Sequence, residues 1–355
     1  METTIKKIDK NNVKDKEAKE VFNEATKVLK NGGLVAFPTE TVYGLGADAL
    51  NPEASTKIYA AKGRPSDNPL IVHIGYIEDL YKLCKEIPEN ALQLVERYWP
   101  GPLTIVLKKD DIVPNETTGG LDTVAIRMPD HEVALELIRK SGVYLAAPSA
   151  NISGKPSPTQ AEHVIHDMSG KIDYIIDGGE VGIGIESTIV DFTSDIPTIL
   201  RPGYITLEMV EEVINEACVD KAILKENKDM GFKPKAPGMK YKHYAPYGEL
   251  TIVEGEVDSV VDKINTLVEN KYNEKVTVGV IATEETAHLY KCGIVRTIGS
   301  MGDELSISRG LYRVLREFDE LEVEYIYTEA FTQKGFSDAV MNRLLKAAGY
   351  KVISV

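Results

Sequence analysis

One stretch, residues 34–74 (LVAFPTETVYGLGADALNPEASTKIYAAKGRPSDNPLIVHI), constrains the chain more than any other. It opens with the apolar run Leu34 to Phe37, bounded by Gly32-Gly33 and Pro38, which reads as a short buried strand. Hydroxyls, a carboxylate and two glycines follow at once in Pro38-Thr39-Glu40-Thr41-Val42-Tyr43-Gly44-Leu45-Gly46, at a strand end, where open α/β sheets bind ligands. Asn51-Pro52 is a helix start, with Asn as N-cap and Pro in the first turn. Ala54, Ile58 and Ala61 keep helical spacing up to Lys62-Gly63-Arg64-Pro65-Ser66-Asp67-Asn68-Pro69. Two cations and several hydrogen-bonding side chains in that Gly/Pro-rich loop suit a polyphosphate. Leu70 to Ile74 is a second strand, with His73 inside an apolar run. Taken singly, each piece also has an ordinary reading: a turn, an exposed helix end, a core histidine.

Short apolar runs alternate with helical patterns along the rest of the chain. A strand-like lead-in precedes a helix bearing Ala18, Phe22, Ala25, Val28 and Leu29 on one face. A helix around Ala91 to Trp99 closes at Pro100-Gly101-Pro102. Strands are expected at Leu103 to Leu107, Val124 to Met128, Val143 to Ala147, Tyr174 to Ile176 and Thr188 to Val190, and helices at Glu132 to Lys140 and Leu207 to Ala217. Residues 221–248 are Lys/Pro/Gly-rich with little apolar periodicity and read as a linker. Beyond it, strands at Leu250 to Val253, Val276 to Ala282, Ile294 to Ile298 and Tyr325 to Thr328 alternate with helices at Val257 to Glu269, Glu284 to Tyr290, Leu305 to Phe318 and Asp338 to Ala348. That alternation predicts a smaller, Rossmann-like, mostly parallel α/β domain over 249–355, after a domain over 1–220. The second domain has no GxGxxG and no phosphate-loop motif, so no nucleotide site is expected there.

At 355 residues and 43% hydrophobic content, two domains can each bury a core. A net charge of −14 argues against a broad surface for nucleic acid or anionic membrane. Three cysteines, Cys84, Cys218 and Cys292, stand far apart, which fits a reducing compartment and offers no zinc or disulfide framework. No stretch approaches a membrane span, and a cytoplasmic protein is expected.

His163 and His166 share a helical face but have no third ligand in view, so a surface helix is the better reading. There is no GxSxG and no Cys/His nucleophile signature. What recurs is hydroxyl-plus-cation loops at strand ends: Thr39/Thr41, Lys62/Arg64, Arg127, Ser149/Lys155/Ser157, Ser187 and Arg201. Such a set suits a polyphosphate and a small polar ligand, with catalysis by positioning and charge stabilisation.

PTETVYGLG, KGRPSDNPLIVHI, VAIRMPDH, APSANISGKPSPT, ESTIVDF and ILRPG, in that order, resemble the YrdC-like family; MKYKHYAP and VMNRLLKAAG resemble its two-domain form. The resemblance implies a twisted mixed-sheet catalytic domain followed by the smaller α/β domain. It also implies a reaction: L-threonine, bicarbonate (or CO₂) and ATP condense to L-threonylcarbamoyladenylate with release of pyrophosphate. Other enzymes then transfer the carbamoyl-threonine to tRNA beside the anticodon; direct contact with tRNA is left open. Carried over by motif, threonine is held by Thr41, His73, Arg127, the Ala147 backbone and Ser187. ATP lies against Arg64, Asn68, Thr123, Ser149, Ser157, Arg201 and Tyr244. Lys62 and Arg64 are the catalytic cations, with Mg²⁺ accompanying ATP and no metal ligand among the site residues. Because Tyr244 falls in the linker, Lys240 to Pro246 is expected to act as a lid. Two other classes stay open: a hydrogenase-maturation-type carbamoyltransferase, disfavoured by the scattered cysteines, and a non-catalytic RNA-binding module.

Overall fold

The computed structural model describes residues 2–9, 12–220, 223, 235–237, 243–331 and 337–355. Most of Lys240 to Pro246 is described, but residues 240–242 lie outside, as do 221–222, 224–234 and 238–239 of the linker. The chain forms two compact units, one of residues 1–153, 157–182 and 186–240, the other of 154–156, 183–185 and 241–355.

The first unit runs β1 (Thr4–Lys7), α1 (Lys16–Lys30), β2 (Val35–Phe37), β3 (Gly44–Asp48), α2 (Pro52–Lys62), β4 (Ile71–His73), α3 (Leu80–Leu83), α4 (Glu89–Tyr98), β5 (Leu103–Lys108) and α5 (Asn115–Thr118). It continues with β6 (Thr123–Arg127), α6 (Glu132–Ser141), β7 (Leu145–Ala146), α7 (Ala161–Met168), β8 (Tyr174–Asp177), β9 (Thr188–Asp191), β10 (Thr198–Arg201), α8 (Leu207–Ile214) and β11 (Cys218–Val219). The strands form one mixed sheet in the order β1-β8-β2-β3-β7-β4-β6-β5-β9-β10-β11. Two cores flank it. Phe22, Ala25 and Leu29 of α1 and Val133 and Leu137 of α6 pack with Val35 and Phe37. The other core gathers Ile58, Leu94 and Val95 with Leu45, Val72, Ile105 and Ile126.

Local chemistry explains α2. Asn51 caps it by accepting from the amides of Glu53 and Ala54, Pro52 occupies its first turn, and Gly63 closes it at φ 62°. Lys62 is therefore the last helical residue and Arg64 the first after a left-handed glycine. Strand β3 is a correction to the sequence reading, which placed no strand between Phe37 and Asn51. Its glycines read poorly as strand, yet a Cβ at Gly44 or Gly46 would meet the Phe37 ring at 3.1 or 2.8 Å. Only glycine lets this strand lie against β2 over that ring. The loop 38–43 is thus the turn of an antiparallel β2–β3 hairpin.

The second unit has β12 (Glu249–Glu254), α9 (Val257–Asn273), β13 (Val278–Ala282), β14 (Ile294–Thr297), α10 (Glu304–Glu320), β15 (Tyr325–Glu329), α11 (Ser337–Ala347) and β16 (Val352–Ser354). Every pairing in its sheet, ordered β14-β13-β15-β12-β16, is parallel. The helix expected at Glu284 to Tyr290 is only a 3₁₀ turn, Ala287–Leu289, because Leu289 and Tyr290 fold under the sheet edge with Val268 and Val280. β16 went unread, being a short half-exposed edge strand. The unit also holds 154–156 and 183–185: Arg316 Nη2 donates to Pro156 O at 2.6 Å and Ser308 Oγ to Ile183 O at 2.5 Å.

Candidate functional site

Register gathers the first group of residues. His73 on β4 pairs with Arg127 on β6, and Arg127 in turn pairs with Thr104 on β5. Thr104 continues the row to β9, where its hydroxyl lies 2.7 Å from Ser187 Oγ just before that strand. Arg201, ending β10, donates from Nε to Ser187 O at 3.0 Å and from Nη2 to Ser187 Oγ at 3.2 Å. Strands β4, β6, β5 and β10, with the residue just before β9, therefore present two guanidinium groups, an imidazole and two hydroxyls side by side.

Arg127 is the centre of that row and is buried. Its Nη1 donates to Thr41 Oγ1 at 2.9 Å and its Nε to Gly101 O at 3.3 Å, while Nη2 stands 2.6 Å from Glu40 Oε1. Thr41 is braced by Thr39, whose hydroxyl sits 2.9 Å away and donates to Val42 O. The PTET turn thus delivers both a hydroxyl and a countercharge to one guanidinium. His73 is held uncharged: burial, reinforced by the Arg127 charge, pushes its pKa down to about 3. Nδ1 stands 3.2 Å from Ile71 O, a carbonyl it can meet only as a donor. Ala147 is buried beside this row, its amide donating to the same Ile71 O at 2.8 Å.

Lys62 and Arg64 define the second group. Lys62 is only 2% exposed, and its ammonium donates to Ser149 O and Asn151 O, each at 2.5 Å. Ser149 Oγ donates to Asn151 Oδ1 at 2.5 Å, so one cation and one amide set the conformation of the loop after β7. Arg64 donates from Nε to Asn68 O at 3.2 Å and from Nη2 to Pro69 O at 3.0 Å, fixing the loop before β4. Asn68 is buried, and its Oδ1 has no hydrogen-bond partner among the described residues. Ser157 donates to Glu186 Oε1 at 2.5 Å, and Thr123 opens β6 opposite Lys108.

Tyr244 belongs to the second unit. It adopts φ 65° and stacks on Tyr312 at 5.4 Å between centroids, with the Arg343 guanidinium 5.8 Å from its ring. His163 is no metal ligand in this arrangement: it is buried, and its Nδ1 accepts from the Thr159 amide at 3.2 Å. Among the described residues, no three His, Cys, Asp or Glu side chains come together to hold a metal.

Two family models match the chain. The Sua5/YciO/YrdC model, described as telomere recombination, covers residues 27–203, and the model for the threonylcarbamoyl-AMP synthase C-terminal domain covers 205–349. The threonylcarbamoyl-AMP synthase of Bacillus subtilis (strain 168) is 51% identical over 331 residues, 93% of each chain. That of Pyrococcus abyssi (strain GE5 / Orsay) is 52% identical over 327 residues, 92% of this chain and 94% of that protein. The chain belongs to the threonylcarbamoyl-AMP synthase family. A crystal structure of P. abyssi Sua5 complexed with L-threonine superposes with a TM-score of 0.92 at 48% identity, covering 99% of this chain and all of that one. The two-domain form of the YrdC-like family is therefore the right frame, fold included.

Within that family frame, four residues the sequence reading left without a role join the site: Glu40, Thr104, Asn151 and Glu186. Three of them stood inside quoted motifs, PTET, APSANISG and ESTIVDF, where a carboxylate or amide beside the assigned hydroxyls was the available signal. Thr104 left no such signal, since only the β5–β6 and β5–β9 register brings it between Arg127 and Ser187.

Proposed function

We propose that this chain makes L-threonylcarbamoyladenylate from L-threonine, bicarbonate or CO₂, and ATP, acting as a nucleotidyltransferase that releases pyrophosphate. The observation that carries the reading is the buried Arg127, a planar fork held by Thr41 and Gly101 in the middle of a row that ends on Ser187 and Arg201. A guanidinium so oriented suits a small carboxylate bidentately. Thr41, Ser187 and the Ala147 backbone surround it as partners for the amino acid's hydroxyl and ammonium. An uncharged His73 adds shape without a competing cation.

The chemistry asks for alignment rather than a protein nucleophile. The threonine amine captures CO₂ as a carbamate, and a carbamate oxygen attacks the α-phosphorus as pyrophosphate leaves. The chain's own contribution is to bring two anions together and offset the charge on the leaving group. Arg64 and Arg201 bind along the nucleotide, with Ser149, Ser157 and Thr123 as further contacts. Lys62 supplies charge while its N–H groups hold the 149–151 loop. The orphaned Oδ1 of Asn68 is an acceptor that a nucleotide N–H would satisfy. Mg²⁺ fits as a companion of the triphosphate, an ion that keeps most of its waters and needs few protein ligands. The product serves transfer enzymes acting on tRNA, in the cytoplasm. No helix among the described residues is long and apolar enough to cross a membrane.

Pyrophosphate release measured with each substrate omitted in turn tests the proposal. Release that requires ATP, threonine and bicarbonate together is expected. Release independent of threonine, or none with all three present, overturns it.

A further inference from the structure

In the second unit, four parallel strands end on a common pocket of about 650 Å³. Val253 and Glu254 come from β12, Thr283 from just beyond β13, Glu329 from the end of β15 and Ser354 from β16. The volume lies in the ~300–1,000 Å³ range of small-molecule sites. The position is the one open parallel sheets use. Neighbouring strands β13 and β15 send their connections to opposite edges, to β14 and β16, which opens a crevice at their carboxyl ends. Val253, Val260 and Leu289 contribute apolar wall, and four carboxylates, Glu254, Glu256, Glu285 and Glu329, supply the charge. Among the described lining residues there is no Lys, Arg or His.

Two of these carboxylates are held in place by hydrogen bonds, from Tyr290 and Ser300 outside the lining and Met301 within it. Glu329, only 8% exposed, accepts from the Tyr290 hydroxyl at 2.5 Å, and burial holds its carboxyl above the usual carboxylate range. Glu285 is exposed; it accepts from Ser300 Oγ at 2.6 Å and the Met301 amide at 3.0 Å, and the Ser300 bond holds it below that range. A buried carboxylate short of countercharge and an ionised, pre-oriented one, with valine and leucine between polar groups, match an ammonium on a methylene chain. Among the lining side chains a phosphate or carboxylate ligand would meet only like charge. We infer that this pocket binds an organic cation, an aliphatic diamine or polyamine. The inference goes beyond the proposed reaction and involves none of its residues.

Calorimetric titration of the full chain with spermidine at fixed ionic strength tests it, with no turnover required. Saturable binding at a single site is expected, weakened about tenfold or more by either Glu329→Gln or Glu285→Gln. Glu269→Gln, on an exposed face of α9 away from the pocket, should leave it unchanged, and Glu285→Gln should leave pyrophosphate release unchanged. If Glu329→Gln fails to fold by circular dichroism, the surface variant Glu285→Gln decides alone. Equal loss in Glu269→Gln would mean diffuse attraction to a chain of net charge −14 and overturn the site. So would the absence of saturation, or displacement of spermidine by equimolar Mg²⁺.

Discussion

Arg127 Nη2 and Glu40 Oε1 stand 2.6 Å apart, yet neither atom has a partner in hydrogen-bond geometry among the described residues. The two meet as buried charges, and both Glu40 oxygens are shut away from water. Such a carboxylate occupies the face of the guanidinium that a substrate carboxylate would take. Glu40→Gln should therefore lower the apparent KM for threonine, by roughly tenfold if one close buried charge pair no longer competes. It should also lower the melting temperature, since Arg127 loses its buried countercharge. A raised threonine KM would show that Glu40 positions Arg127 instead.

Arg127→Lys keeps the charge but cannot reproduce the fork that reaches Thr41, Gly101 and Glu40 together. The apparent KM for threonine should rise much more than that for ATP in steady-state kinetics. Equal rises would indicate a general folding defect.

Arg64→Ala removes two bonds to the carbonyls of Asn68 and Pro69 as well as a charge proposed to face phosphate. With a charge-assisted bond worth about 1.5–3 kcal/mol, turnover should fall roughly tenfold to a hundredfold. Wild-type kcat in this variant would remove Arg64 from the phosphate role.

His73 gives a pH dependence of stability with a definite sign. Its pKa falls from 6.5 to about 3 on folding, so the native state resists a proton that the unfolded chain accepts. Its contribution is complete above pH 6.5 and is lost as pH falls toward 3, with a slope of up to about 1.4 kcal/mol per pH unit. Urea unfolding at a series of pH values between these limits should show a flatter acid limb in His73→Asn than in wild type. Parallel curves would mean that His73 titrates normally.

Helix α2 shows how much of the site is local. Asn51, Pro52 and Gly63 specify its start and end within one turn of themselves, and so place Lys62 and Arg64 where the sequence alone puts them. The strands carrying His73 and Arg127 were legible for the same reason, as apolar runs between breakers. Strand β3 was not, because glycine's value there depends on Phe37 across the hairpin.

The sequence by itself determined the two α/β units, the ends of most elements and the residue types that mark a charged, hydroxyl-rich site, because caps, breakers and periodicity act over a few neighbouring residues. Only the tertiary structure decided that His73, Arg127, Thr104 and Ser187 form one row. It alone put Glu40 on Arg127, Lys62 on the Ser149 and Asn151 carbonyls, and four glutamates around one pocket. Strand register and buried polar contacts join residues from 23 to 89 positions apart, and they are settled by which faces must leave water together, a condition no local window contains.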